Sequence, residues 1–200
     1  MRLPLFPLEG VLFPGETMPL HVFEPRYKEM VGRCLEHDEP FGVVFILEGS
    51  EVGTSVPRRI GTEAGIIAAQ RYRDGRYDIV VAGRRRFEIM NLDRGRPLLR
   101  AEVRFLEEPW GDAAEDLAEP VARLFEGILE SLEISGEAVI DETWKGLDPL
   151  SLSYKVASAL PVEPETRQEL LEIPAVAERL RREADLLMSI ARVGAKAGAA

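Results

Sequence analysis

The feature that most constrains this chain is the change of hydrophobic period at EPWGD, Glu108 to Asp112. Before it, apolar residues alternate or fall in short continuous runs; after it, they recur at three- and four-residue spacing. Strands gathered in one half and helices in the other predict an α+β protein rather than alternating βα units. The expected division is a strand-rich subdomain over 1–108, a helical bundle over 109–193 and a frayed GAKAGAA tail over 194–200.

Within the first half, Leu3 to Leu8 is short and apolar, and Met18, Leu20 and Val22 alternate with Pro19, His21 and Phe23 as in a half-buried strand. The prolines at 4, 7, 14 and 19 restrict such strands to edges, ends or bulges. Phe41 to Leu47 is a continuous apolar run, the pattern of a strand covered on both faces. GIIAAQRY, RDGR and YDIVVAG spell a hairpin, with Asp74-Gly75 suited to a type I′ turn. Gly83 marks a bulge or corner before RRRFEIMNL. In LLRAEVRFL, Leu99, Ala101, Val103 and Phe105 share one face, and Arg100, Glu102 and Arg104 the other. Many short strands with turn signals between them predict a small barrel or sandwich. One helix interrupts them: Pro25 suits a first helical position, and Tyr27, Met30, Val31, Cys34 and Leu35 form one apolar stripe.

In the second half, Leu117, Val121, Leu124, Phe125, Ile128 and Leu132 make a helical stripe in which Pro120 is either a kink or the true start, and Gly136 fits the stop. Asp148-Pro149 reads as an N-cap and first turn of a helix ending before Pro161. Two more helices are expected, from Pro164 to about Ile173 and from Pro174 to about Val193. The last carries Val176, Leu180, Leu187 and Ile190, with Glu and Arg on its other faces.

Charge is uneven along the chain. The net value is −10, yet 58–104 contains 12 Arg and 6 acids, a balance of +6 that leaves −16 on the remainder. The longest apolar runs, such as Val43 to Leu47, are too short to span a bilayer, and Pro4, Pro7 and Glu9 interrupt any signal-peptide core. A cytoplasmic protein with no membrane partner is expected, and the single cysteine, Cys34, suits a reducing compartment.

Chemical motifs are mostly missing. There is no Gly-Lys dipeptide for a phosphate loop, no GxGxxG after a strand and no G-x-S-x-G elbow, so no nucleotide cofactor or hydrolase machinery is indicated. Ser151 and Ser153 stand at the wrong spacing from Lys155 for a Ser-Lys dyad. His21, His37, Glu24 and Cys34 are suitable metal ligands by type. However, Cys34 belongs to the core stripe and His37 to another side of the helix, so no metal site is expected. Glu24 reads as capping or orienting the helix start. Arg71, Arg73, Arg84, Arg85 and Arg86, with Arg100 and Arg104, would line a sheet face suited to a phosphate backbone, with Tyr72, Tyr77 or Phe87 as stacking partners. Otherwise they form a solvated outer face.

LPLFPLEGVLFPGETMPLHVFEPRY resembles the opening of the LON substrate-binding domain, the N-terminal domain of ATP-dependent Lon proteases, in its stand-alone bacterial form. IGTEAGIIAAQRYRDGRYDIVVAGRRRFEI is similar to that family's strand, D-G hairpin and V-x-G-x-x-R-F continuation. DPLSLSYKVASALPVEPETRQELLEIPAVAERL is similar to its helical half. The resemblance implies a PUA-like pseudo-barrel with one inserted helix, followed by a helical bundle. In Lon an AAA+ motor and a Ser-Lys protease domain follow, and here the chain stops after the last helix. A non-catalytic chain with no cofactor is therefore expected.

What the resemblance implies functionally is binding of unfolded or extended polypeptide, or an adaptor role in a protease complex. Edge strands and the cleft between barrel and bundle are the places where an extended chain would gain backbone bonds and apolar walls. His21, Phe23, Arg26 and Trp110 are the residues expected to meet it. The alternative, drawn from RNA-binding relatives of the barrel, uses Arg71, Arg73, Arg84, Arg85 and Arg86.

Overall fold

Six strands and one helix fill the first 105 residues of the computed structural model, which describes residues 1–51, 55–95, 97–134 and 144–197. They are β1 (Arg2–Leu8), β2 (Thr17–Val22), α1 (Pro25–His37), β3 (Phe41–Gly49), β4 (Ser55–Arg71), β5 (Tyr77–Asp93) and β6 (Arg100–Phe105). The sheet order is β2-β5-β4-β3-β1-β6, and a further β5–β6 pairing closes five of the strands into a barrel with β2 attached outside the ring. β1 and β3 are parallel and every other pair is antiparallel. The expected α+β barrel with an inserted helix is the fold observed.

The prolines fit because the two partners of β1 take turns. Residues 2–4 pair with β6 and residues 5–8 with β3, so the backbones of Pro4 and Pro7 each face one partner in these ladders. β3 is buried on both faces from Phe41 to Ile46, as its apolar run predicts, while Leu47 at the end of that run is exposed. Val44 joins Leu3, Leu5, Phe87, Ile89, Ala101 and Val103 in one core cluster. Phe41 and Val43 join Phe6, Leu8, Tyr77, Ile79 and Val81 beneath α1 in another.

Three local expectations change. The 72–76 hairpin is a three-residue loop rather than a type I′ turn, since Tyr72 N–H donates to Arg76 C=O, Gly75 N–H donates to Tyr72 C=O, and only Gly75 has positive φ. β4 runs back through Ser55 to Ala64, where sequence alternation is weak, because register shifts beside Ala64 and Ala68 break the period. Leu35, at the margin of the α1 stripe, is exposed, while Tyr27, Met30, Val31 and Cys34 are buried. Glu24 does cap α1, but with its backbone: its carbonyl accepts from Tyr27 and Lys28, and its side chain makes no cap bond.

The remaining helices are α2 (Ala114–Ile134), α3 (Pro149–Ala159), α4 (Pro164–Glu172) and α5 (Val176–Ala197). α2 starts six residues before Pro120 and runs through it. Gly136 lies outside the described residues, as do 198–200, and α5 runs to Ala197. Asp148 caps α3 as expected, accepting from the Leu150 and Ser151 amides at 3.0 and 3.1 Å.

Contacts divide the chain into two compact units, Met1–Leu106 with Glu163–Leu171, and Glu107–Val162 with Glu172–Ala200. α4 therefore belongs with the strands, whereas periodicity alone groups it with the other helices. Its Gln168 amide donates to Ile60 C=O at 3.0 Å, its Arg167 pairs with Glu16 at 2.9 Å, and its Leu170 and Leu171 are buried. In the second unit α2, α3 and α5 pack on one another. Val121, Phe125, Ile128, Leu152, Val156, Leu180 and Leu187 are buried there.

Candidate functional site

β2 is the strand with an open side. Among the described residues it pairs only with β5, from Thr17 opposite Ala82 to Val22 opposite Tyr77. The Gly83 N–H to Glu16 C=O bond begins the ladder, so strict alternation puts Met18, Leu20 and Val22 in the pairs bonded to β5. The backbone groups of Thr17, Pro19 and His21 then point to the open edge, where the missing N–H of Pro19 breaks no bond to β5. An open row of this kind is a template for another extended chain, and a proline on it limits uncontrolled pairing.

Both faces of this edge carry grooves. On the inner side is a cleft of about 370 Å³ walled by Phe6, Met18, Leu20, Val22, Phe23 and Tyr27, with Glu24 and Glu51 also lining it. Phe6 and Tyr27 stack with ring centroids 4.2 Å apart. Burial pushes the Tyr27 hydroxyl pKa up to about 12, so it stays neutral at physiological pH. A shallower groove of about 590 Å³ lies over Pro19, His21, Ala68, Gln70, Asp78 and Val80.

Of the residues expected to meet a bound chain, three stand here. Phe23 is 50% exposed, and its ring stacks on His21 at 6.0 Å. The His21 Nδ1 lies 2.5 Å from Asp78 Oδ1, while the Tyr72 hydroxyl donates to the other carboxylate oxygen at 2.5 Å. Those bonds, Tyr72 first and His21 second, hold the Asp78 carboxyl below its ordinary pKa. Arg26 has a different setting. Its guanidinium donates to Glu24 Oε2, Pro97 C=O and Glu51 C=O at 3.1–3.3 Å and lies 4.5 Å from the Tyr27 ring centroid. It braces the cleft wall. Trp110 belongs to the second unit and is 41% exposed; its carbonyl accepts from the Ala177 amide.

The arginines do not make a bare basic stripe. Arg86 is completely buried and donates to Leu171 C=O at 2.6 Å, a correction that removes it from any surface. Its neighbour Phe87 fills the core cluster, so Arg86 lies on the other face of β5, where α4 covers it. Arg85 is bonded to Glu63 at 2.9 Å and lies over Phe105. Arg84 packs on Gly65, Arg71 lies over Tyr77, and Arg73 is exposed in the hairpin loop. Glu88 takes both Arg59 and Arg104. Glu63 and Glu88, both already counted in the +6 balance, thus pair with Arg85, Arg59 and Arg104 across strands.

Sequence reasoning missed Phe6, Tyr27 and Glu51 as cleft residues. They come from different elements, and only the β1–β3 parallel crossover brings them together. It also missed the buried polar set of the second unit. There Arg179 Nε donates to Ser153 Oγ at 2.7 Å and that hydroxyl donates to Glu183 Oε1 at 2.8 Å. The Arg179 guanidinium also lies over Tyr154, whose hydroxyl bonds Glu108. The signal was present: Arg179 and Glu183 follow Val176 at i+3 and i+7, on the stripe itself.

These elements make a strand barrel with an inserted helix, an edge strand β2 and grooves on both of its faces. The model of the ATP-dependent protease La (LON) substrate-binding domain matches residues 2–189, and the chain belongs to that family. It is 26% identical over 185 residues to Lon protease of Escherichia coli strain K12, covering 90% of this chain and 24% of that protein. It is 30% identical over 192 residues to Lon protease 2 of Herpetosiphon aurantiacus, covering 91% of this chain and 23% of that one. The chain thus spans about a quarter of the length of these relatives. Among solved structures, a Lon N-terminal domain protein from Xanthomonas campestris is similar, with a TM-score of 0.67 and 30% identity, over 91% of this chain and 96% of that one. The N-terminal domain of the Mycobacterium avium complex Lon protease has the same fold, with a TM-score of 0.76 and 22% identity, over 94% and 98% of the two chains. Among the described residues, no helix is long and apolar enough to cross a membrane.

Proposed function

We propose that this chain recognises unfolded or extended polypeptide by strand addition at β2, as a non-catalytic substrate-recognition or adaptor protein working with a protease in the cytoplasm. The observation that carries the reading is an edge strand whose free side lies beside a cleft of about 370 Å³ walled by aromatic and aliphatic side chains. Backbone bonds to Thr17, Pro19 and His21 give affinity without sequence preference, and the cleft selects segments with a large apolar side chain. Phe23 covers that side chain, His21 and Asp78 set the edge of the strand, and Arg26 holds the wall in place. Family membership supports the polypeptide as ligand, because the matched domain is the substrate-binding one. Trp110 is a further contact in this reading, on the second unit.

The test compares His21→Ala with His21→Pro in fluorescence titration of an unfolded casein fragment. Both lose the imidazole, and only the second loses the outward N–H while leaving the β5 ladder intact. Binding reduced about tenfold further by the proline, with Phe23→Ala also weaker than wild type, is the expected outcome. Equal binding by all the variants and wild type, or no binding by the wild type above an inert control, refutes strand addition.

A further inference from the structure

A second cleft, of about 250 Å³, opens where the start of β1 meets the second half of α1. It shares no lining residue with the grooves beside β2. Its floor is apolar: Leu3, Met30 and Cys34 are almost wholly buried, and Pro4, Pro40 and Leu98 form the sides. Its charged lining is one-sided, with Arg2, Arg33 and Arg100 against the single carboxylate of Glu39. Arg2 is held by Asp93 at 2.5 Å and Arg33 by Glu39 at 3.5 Å. Arg100 is different. Asp93 stands opposite it in the β5–β6 register but is bonded to Arg2. Arg100 forms no ion pair with any described residue, and its buried Nε has no hydrogen-bond partner among them.

We propose that this cleft binds a carboxylate carried on a compact apolar group, with Arg100 as the cation that receives it. A buried donor without an acceptor is unfavourable, and a guanidinium edge above an apolar floor is completed by a planar anion with a hydrophobic tail. The volume suits one leucine- or phenylalanine-sized group, at the small end of ligand clefts. Arg2 and Arg33 add long-range attraction but keep their own partners. A polypeptide ending in an apolar residue and a short fatty acid both present this chemistry. The inference does not depend on strand addition at β2, and each can fail without the other.

Calorimetric titration would use octanoate against 1-octanol, and an acetylated tripeptide ending in leucine as free acid against its amide. At least one carboxylate should bind about tenfold more tightly than its neutral counterpart, and Arg100→Met should erase that preference without lowering Tm, since it removes the orphaned donor and keeps the apolar stem. Arg33→Met, on the exposed side of α1, should weaken binding only a few-fold and more at low salt. Binding of the free-acid peptide assigns the site to a chain terminus; binding of octanoate alone assigns it to a small molecule. Equal binding of acid and neutral forms, retention of the preference in Arg100→Met, or no binding at millimolar concentrations overturns the proposal.

Discussion

Glu183 occupies a position in α5 where the apolar stripe calls for a leucine, and it is completely buried. Desolvation raises its pKa well above the ordinary glutamate value, outweighing the Ser153 hydroxyl bond and the Arg179 charge that lower it. The folded protein therefore keeps a proton that the unfolded chain releases. This contribution to stability is fully present below the ordinary glutamate pKa and is lost as pH rises toward the folded-state value. Glu183→Gln retains an acceptor for Ser153 and does not titrate. The stability of the variant relative to wild type should move in the variant's favour between about pH 5 and about pH 8. Denaturant melts at the two pH values check it, and a constant difference would contradict the assignment. Arg86 teaches a related lesson. As one of three successive arginines it reads as surface, and only the return of α4 to the strands covers it and supplies its acceptor, the Leu171 carbonyl.

At the scale of elements, Gly83 is legible in the sequence as a bulge or corner, and the structure adds why no other residue fits. A Cβ there would lie 2.1 Å from the Phe13 carbonyl oxygen, which is backbone in the turn leading to β2. Gly83→Ala should therefore cost about 1–3 kcal/mol or more and shift β2 with it. Gly127, exposed on α2 with nothing near its Cβ position, is the matched control. Gly127→Ala should stabilise by up to about 1 kcal/mol through helix propensity. Thermal melts of the two variants separate close approach from backbone entropy, and similar shifts in both would refute the packing argument. The hairpin shows where local reading falls short. Asp74-Gly75 announces a turn, but loop length, and with it the register of β4 on β5, depends on which cross-strand pair closes it.

For the whole molecule, the order of elements along the chain is not the order of packing. The chain leaves the strand unit at Leu106, returns to it for 163–171 and leaves again. A fragment ending at residue 108, the natural cut from hydrophobic period, lacks the Leu171 carbonyl that Arg86 bonds and the Arg167 side chain that holds Glu16 and Val11 C=O. Such a fragment should melt at lower temperature and with less cooperativity than one in which residues 163–172 are joined after residue 106 through a short flexible linker. Calorimetry of the two fragments tests this, and equal Tm values would mean that α4 adds nothing to the strand unit.

The sequence by itself determined the class of fold, most strands and helices, the Asp148 cap, the turn at Asp74-Gly75 and the family, because each is written in local periodicity, in residues with special backbone demands or in contiguous motifs. PLHVFEPRY already showed that His21 and Phe23 stand on a strand and Tyr27 on the buried stripe of a helix. Only the tertiary structure decided that β2 is left with an open edge, that Phe6 stacks on Tyr27 to wall a cleft, that α4 returns to the strands and that the buried Arg100 Nε has no acceptor among the described residues. These depend on pairings between residues far apart in the chain. A one-residue change of register there exchanges inside for outside, and no local pattern encodes it.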